Sequence, residues 1–164
     1  LLNPIESSDV EFYISSPEWC AQEKFDGQRR LIILDDGKLS GANRKGLRVP
    51  LIPEITGCIK RFSNLSFVLD GEVFSDHIIV FDRLDADGGY KQRYEDLKKG
   101  LVSVRSSGVR LASVAWTEEE KRTLMIKLLK DNKEGIVFKK ITGKYTPGRP
   151  NSGGDQVKYK FYET

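Results

Sequence analysis

The stretch Glu23-Lys24-Phe25-Asp26-Gly27-Gln28-Arg29 contains the pattern K-x-D-G-x-R, which places a lysine, a carboxylate, a glycine and an arginine within six residues. A lysine held beside fixed charges on a glycine-containing loop is a candidate nucleophile. Lys24 is therefore the first candidate catalytic residue of the chain, with Asp26 and Arg29 close to it in sequence. Taken alone, four specified positions are only moderately specific at average residue frequencies.

Five further segments follow this pattern along the chain. They read Asn43-Arg44-Lys45-Gly46, Leu69-Asp70-Gly71-Glu72-Val73, Val80-Phe81-Asp82, Glu134-Gly135-Ile136-Val137-Phe138-Lys139 and Lys158-Tyr159-Lys160. Lys158 and Lys160 are two residues apart on a predicted strand, so their side chains should share one face. Two cations on one face can neutralise phosphate groups, and a solvated basic strand edge is the plain alternative.

The composition sets the class of protein. With 164 residues, 38% of them hydrophobic and 31% charged, the chain suits one globular domain that buries a sizeable core. Its apolar runs fall well short of a membrane span. Cys20 and Cys58 form no metal or disulfide pattern and are predicted to be reduced thiols. The net charge of +3 permits a polyanionic partner without requiring one.

Hydrophobic periodicity and turn signals predict a mixed α+β fold. The apolar run Leu31–Leu34 leads into an Asp-Gly pair, which tolerates positive φ and predicts a hairpin. Thr117 and Glu120 form a capping box in front of the clearest helix. That helix is expected at 117–131. The other expected elements are helices at 53–62 and 91–102, strands at 67–74, 77–84, 134–141 and 156–161, and a loop at 146–155.

Together, the six segments resemble the nucleotidyltransferase (adenylation) domain of ATP-dependent DNA ligases, whose superfamily includes RNA ligases and mRNA capping enzymes. The resemblance runs from about Trp19 to Lys160, with Asn43 in place of the usual serine of its element. It implies an α+β, ATP-grasp-like adenylation domain, with antiparallel sheets flanking a nucleotide cleft and helices around them. That domain would occupy residues 1–164.

The resemblance implies nucleotidyl transfer through a covalent lysine-AMP phosphoramidate, with Lys24 as the nucleophile. Because a protonated lysine is a poor nucleophile, neighbouring cations would help by favouring its neutral form. Arg29, Lys158, Lys160 and a bound magnesium ion would supply those charges. The planar fork of Arg29 would also clamp phosphate or ribose oxygens, and Asp26 would orient the cations near the lysine.

The resemblance also implies contacts with ATP as the AMP donor. The expected nucleotide-binding residues are Gln22, Glu23, Lys24, Arg29, Arg44, Glu72, Phe81, Glu134, Val137, Lys158 and Lys160. In ligases of this family a glutamate often stands two residues before the nucleophile and reads the adenine amine. Here Gln22 takes that place, and its amide can still read adenine.

Two further pairs of residues carry roles by resemblance. Phe81 would stack on the base and Val137 would close its other face, with ordinary core packing as the alternative for both. Glu72 and Glu134 would hold a ribose hydroxyl and Mg²⁺, since magnesium needs only one or two carboxylates besides phosphates. The residues alone do not decide which glutamate takes which role.

The expected partner is nicked duplex DNA, whose 5′-phosphate Arg44 would contact, with a solvated turn residue as the alternative. The resemblance implies an OB-fold domain in the intact protein, and the few residues after Lys160 cannot supply one. We expect a monomer without membrane association, in the cytoplasm, nucleoid or nucleus, or virus-encoded in a host cytoplasm.

Two other functions remain open from the sequence. The chain could be an RNA ligase or an mRNA capping guanylyltransferase, which share the nucleophilic lysine but differ in substrate. It could also be a non-catalytic module that binds nucleotide or DNA.

Overall fold

The computed structural model describes residues 2–59, 66–101, 106, 108–146 and 154–162. In chain order the elements are β1 (Asn3–Pro4), α1 (Val10–Ser15), β2 (Trp19–Lys24), β3 (Gln28–Asp35), β4 (Lys38–Ala42), β5 (Arg48–Val49), α2 (Pro53–Ile59), β6 (Phe67–Val73), β7 (Ile78–Arg83), α3 (Tyr90–Leu101), β8 (Val109–Leu111), α4 (Glu118–Lys130), β9 (Gly135–Lys140) and β10 (Gln156–Lys160).

The chain divides into two compact units. Unit 1 comprises Leu1–Asp26, Gly88–Lys91 and Ser113–Thr164, and unit 2 comprises Gly27–Asp87 and Gln92–Ala112. Unit 1 holds a four-stranded sheet in the order β1-β10-β9-β2, and unit 2 a six-stranded sheet in the order β5-β4-β3-β6-β7-β8. Neighbouring strands are antiparallel except at two edges, where β1 pairs parallel with β10 and β8 with β7.

The core of unit 1 lies on one face of its sheet. Alternate residues of three strands are buried there, because successive side chains of a strand point to opposite faces. The strands contribute Trp19, Ala21, Ile136, Phe138 and Val157, and Val10, Ile14 and Leu128 of α1 and α4 join the same cluster. The predicted capping box begins α4, since Thr117 Oγ1 accepts from Glu120 N and Glu120 Oε1 accepts from Thr117 N. This packing leaves the opposite face of the sheet to its polar residues.

A buried lysine links α4 to α1, to the residue after α1 and to the first residue of β2. Lys121 is 0% exposed, and its Nζ donates to the carbonyl oxygens of Tyr13 (2.8 Å), Ser16 (2.7 Å) and Trp19 (2.8 Å). Burial lowers the pKa of Lys121. Its three acceptors supply the hydrogen bonds that a buried ammonium group requires.

The sheet of unit 2 also has one apolar face. The buried side chains on that face include Ile32, Leu69, Ile78 and Val80, and α2 and α3 bury Ile55, Ile59, Leu97 and Leu101. The predicted β3–β4 hairpin turns at Asp36 (φ 48°) and Gly37 (φ 78°), as an Asp-Gly pair allows. Asp82 of β7 and Arg93 of α3, each with a 2% exposed side chain, form a two-point ion pair.

Most predicted elements are confirmed. The 67–74 and 77–84 hairpin, the helix after Thr117 and both C-terminal strands stand within one or two residues of their expected bounds. The ends predicted for the helices at residues 62 and 102, and most of the predicted 146–155 loop, lie outside the described residues. The elements β1, α1, β5 and β8 were not predicted. Strand β2 was not predicted either, and its last residue is Lys24, which was expected on a loop. No described helix is long and apolar enough to cross a membrane.

Candidate active site

The polar face of the four-stranded sheet collects the lysines that the sequence singles out. Strand pairing aligns them in rows, and paired residues of adjacent strands lie side by side on one face. The rows are Lys24–Gly135–Lys160, Gln22–Val137–Lys158 and Cys20–Lys139–Gln156. We call this surface the lysine face and define it by Gln22, Lys24, Val137, Lys139, Lys158 and Lys160. The prediction that Lys158 and Lys160 share a face is therefore confirmed.

Glu134 lies between two ammonium groups at the edge of the lysine face. Its Oε2 is 3.0 Å from Lys24 Nζ, and its Oε1 is 3.8 Å from Lys160 Nζ. The side chains of Lys24 and Glu134 are 18% and 23% exposed, so water screens this pair only in part. Sequence reasoning assigned Glu134 to ribose or metal and did not foresee its contact with the candidate nucleophile.

The close approach of β10 to β9 explains why residue 135 of the E-G-I-V segment is a glycine. It lies in β9 opposite Lys160, and a Cβ atom there would collide with the carbonyl oxygen of Tyr159 and lie 3.1 Å from Lys160 Cα. The absence of a side chain thus lets β9 and β10 approach at the row that holds Lys24 and Lys160.

Beside Lys24, a buried polar cluster lines the lysine face. Gln22 Nε2 donates to Tyr90 Oη at 2.6 Å, and Lys139 Nζ lies 4.4 Å from the centroid of the Tyr90 ring. Gln22 and Lys139 are 2% exposed, and Tyr90 is 0% exposed. Val137, 7% exposed, is the apolar residue at the centre of the face.

Unit 2 carries the second group of predicted site residues. Arg29 binds Asp70 with two parallel hydrogen bonds, from Nε to Oδ1 (3.0 Å) and from Nη2 to Oδ2 (2.8 Å). Glu72 Oε2 accepts from the backbone N–H of Gly27 (3.2 Å). A Cβ atom at Gly27 would lie 2.7 Å from the Val73 carbonyl oxygen. The D-G-E segment therefore anchors Gly27 and Arg29 of the D-G-x-R sequence.

Phe81 occupies an irregular point of β7. Gly71 pairs with Val80 and Asp70 with Asp82, so Phe81 is the extra residue of a β-bulge. Bulges re-aim side chains and are common beside active sites. Phe81 is half-buried, and the ion pair of Asp82 with Arg93 fixes the residue that follows it.

Arg44 is exposed in a turn that a side chain stabilises. Asn43 Oδ1 accepts from the backbone N–H groups of Lys45 and Leu47, both at 3.0 Å, and Gly46 takes a φ of 79°. Asparagine forms such turns with its own amide, which accounts for the asparagine where serine was expected.

The predicted site residues are divided between the two units. Gln22, Lys24, Glu134, Val137, Lys158 and Lys160 assemble in unit 1, while Arg29, Glu72, Phe81 and Arg44 belong to unit 2. Asp26 is exposed, and Glu23 points away from the lysine face, since it alternates with Lys24. Burial raises the pKa of Glu23, against the effect of Lys133 and Lys127.

Three residues of these clusters were missed as site residues. Asp70 and Lys139 belong to two of the six sequence segments, but neither was assigned a function. Strand alternation from Val137 would have placed Lys139 on the same face. No local sequence pattern marked Tyr90 as a site residue, because its hydrogen-bond partner Gln22 is 68 residues away in sequence.

The predicted magnesium ligands form no closed metal site. Within the described ranges, no group of three or more His, Cys, Asp or Glu side chains could hold a metal ion. Glu134 is less suited to a dication because two ammonium groups flank it. Glu72 is better suited, since a single carboxylate with nucleotide phosphates suffices for magnesium.

Solved DNA ligases share this fold. Mycobacterial DNA ligase D complexed with ATP and MES matches with a TM-score of 0.73 and 20% identity, over 91% of this chain and 56% of that one. The ligase domain of M. tuberculosis LigD gives 0.65 and 20%, over 89% and 54%. The ATP-dependent DNA ligase of bacteriophage T7, in complex with ATP, gives 0.67 and 16%, over 98% and 66%.

The chain spans about half the length of each of the first two of these structures. No protein-family model and no curated protein matches the sequence. At these identities the likeness establishes the fold. The chain has the fold of the nucleotidyltransferase domain of ATP-dependent DNA ligases, as the six sequence segments predicted.

Proposed function

We propose that the chain is the catalytic core of an ATP-dependent DNA ligase, which forms a lysine-AMP intermediate and transfers AMP to the 5′-phosphate of a DNA nick. The observation that carries this proposal is the lysine face, where Lys24 lies beside Glu134 and in one row with Lys160. A nucleophile, a carboxylate and phosphate-binding cations are what nucleotidyl transfer requires.

In the first step, Lys24 Nζ loses a proton and attacks the α-phosphorus of ATP. An N–P bond forms, the bond from that phosphorus to the bridging oxygen breaks, and pyrophosphate leaves. Glu134 Oε2, which lies 3.0 Å from the nitrogen, would accept the proton. Lys158 and Lys160 would contact the departing phosphates and stabilise their developing charge.

In the second step, a 5′-phosphate oxygen of the nick attacks the same phosphorus, and Lys24 leaves and regains a proton. The 3′-hydroxyl then attacks the activated 5′-phosphate, and AMP departs as the strand is sealed. Arg44 in its exposed turn would contact the 5′-phosphate.

Other residues would bind the nucleotide. Gln22 would read the base, and Val137 and Phe81 would supply its apolar contacts. Arg29, oriented by Asp70, would contact phosphate or ribose oxygens.

Glu72 would hold magnesium together with the nucleotide phosphates, and Glu134 would accept the proton of Lys24. The magnesium ion would supply charge neutralisation at the phosphates. The ribose hydroxyl, which sequence reasoning gave to one of these two glutamates, is then left to other groups.

The test is the intact mass of the protein after incubation with ATP and magnesium. We expect a gain of one AMP in the wild type and in Lys140→Ala, and none in Lys24→Ala. Lys140 is the matched control, because it alternates to the opposite face of β9. An adduct that persists in Lys24→Ala would refute the assignment of the nucleophile.

Parallel samples separate the alternatives. An adduct with GTP but not ATP would indicate a capping guanylyltransferase. Preference for nicked RNA over nicked DNA in a sealing assay would indicate an RNA ligase. Nucleotide binding without any adduct would indicate a non-catalytic module.

A further inference from the structure

The amide of Gln22 has a defined orientation on the lysine face. Its Nε2 donates to Tyr90 Oη at 2.6 Å, and both side chains are almost fully buried. Within the part of the chain that the structure describes, no group donates a hydrogen bond to Gln22 Oε1. Gln22 is two residues from Lys24 on the same face, about 7 Å along the strand.

An amide differs from a carboxylate in what it can offer a ligand. A carboxylate has only acceptors, whereas an amide has an acceptor oxygen at one end and a donor nitrogen at the other. A glutamine that reads a base therefore distinguishes donors from acceptors only if another group fixes which end faces the base. In this structure Tyr90 Oη accepts from Nε2, so the nitrogen end of the Gln22 amide faces Tyr90 and Oε1 is the end left for a base.

We propose that Tyr90 is a positioning residue for nucleotide selection, which makes Gln22 present Oε1 and so favours a purine with an exocyclic amine at its 6-position. A 6-keto purine offers an oxygen there and would meet Oε1 as a second acceptor. The inference rests on the proposed function, in which Gln22 reads the base of the nucleotide that Lys24 attacks.

The Tyr90 ring is itself held in place. It is 0% exposed at the first residue of α3, and Lys139 Nζ lies over it at 4.4 Å from the centroid. A cation over an aromatic face attracts the ring and restricts its movement. The Trp116 ring contacts Tyr90 with centroids 6.3 Å apart. The phenol oxygen therefore stays opposite the Gln22 amide.

The decisive variant is Tyr90→Phe in the full chain. The measured quantity is the rate of Lys24 adduct formation with ATP divided by the rate with inosine triphosphate, a 6-keto purine nucleotide. Without the hydroxyl the amide can turn its Nε2 towards the base. We expect the ratio to fall about tenfold, which corresponds to one hydrogen bond.

Two further variants make the result specific. Tyr94→Phe is the matched control, because Tyr94 is also a buried tyrosine of α3 and its hydroxyl donates to the Ala112 carbonyl at 2.7 Å. It should leave the ratio unchanged. Adding Gln22→Glu to Tyr90→Phe should restore the preference for ATP, because a carboxylate presents acceptors in either orientation.

The outcomes separate this inference from the proposed function. If adducts form and Tyr90→Phe changes the ratio no more than Tyr94→Phe, the role of Tyr90 is refuted and the proposed function stands. If no variant forms an adduct, the proposed function fails. Equilibrium binding of ATP and inosine triphosphate to the same variants then gives the selectivity ratio. Equal binding of the two by the wild type, or no binding, refutes the inference as well.

Discussion

Replacing Lys121 with methionine tests how unit 1 holds the segment in front of the Lys24 strand. The variant removes the ammonium group that donates to three backbone carbonyls at 2.7–2.8 Å and keeps an apolar stem of similar size. Hydrogen bonds from a charged donor contribute about 1.5–3 kcal/mol each, so three contribute about 4.5–9 kcal/mol. Removing the buried charge recovers several kcal/mol of desolvation cost. We expect the free energy of unfolding to fall by about 3 kcal/mol.

Urea denaturation followed by tryptophan fluorescence measures this loss, because Trp19 is buried in the core of unit 1. Lys130→Met is the control, since Lys130 is exposed on the same helix and should change stability by no more than about 0.5 kcal/mol. A loss below about 1 kcal/mol for Lys121→Met would mean that water readily replaces the ammonium. The reasoning from three buried hydrogen bonds would then be wrong.

Three other predictions each concern one or two side chains. Gly135→Ala should lower the melting temperature and the yield of Lys24 adduct, because its methyl group meets the Tyr159 carbonyl; an unchanged yield would contradict this. Burial raises the pKa of the Cys20 thiol to about 12, so iodoacetamide at mildly alkaline pH should label half-buried Cys58 first, as peptide mass mapping would reveal. Burial also raises the pKa of Glu23 above its unfolded value of 4.5. Its contribution to stability is then full below that value and is lost as pH rises through the folded pKa. Glu23→Gln should therefore gain stability relative to wild type from acid to neutral pH in urea titrations, and a constant difference would count against the shift.

Much of the fold could be predicted from local sequence patterns. The Asp-Gly turn, the Thr117 capping box and the alternation of Lys158 and Lys160 depend on neighbours in sequence, so the residues themselves reveal them. The hairpin of β6 and β7 followed from its short connection. The ligase resemblance supplied the order of the segments and the fold class.

What the sequence could not predict depends on pairing between distant strands. The contact of Glu134 with Lys24 requires the register of β2 against β9, which no local pattern determines. The bulge at Phe81 likewise appears only when β7 is aligned with β6. Tyr90 reaches Gln22 across 68 residues, and a tyrosine at the start of a helix carries no local sign of such a contact.

The alternation along β2 limits how the gene for this chain can change in length. Lys24 and Gln22 face one side, while Ala21 and Trp19 face the core. Losing or gaining one codon within this strand would turn the nucleophile inward and an apolar side chain outward, unless the neighbouring turn absorbed the shift. Related genes should therefore vary in length before Trp19 or within loops such as the one after Ile141, and keep β2 constant.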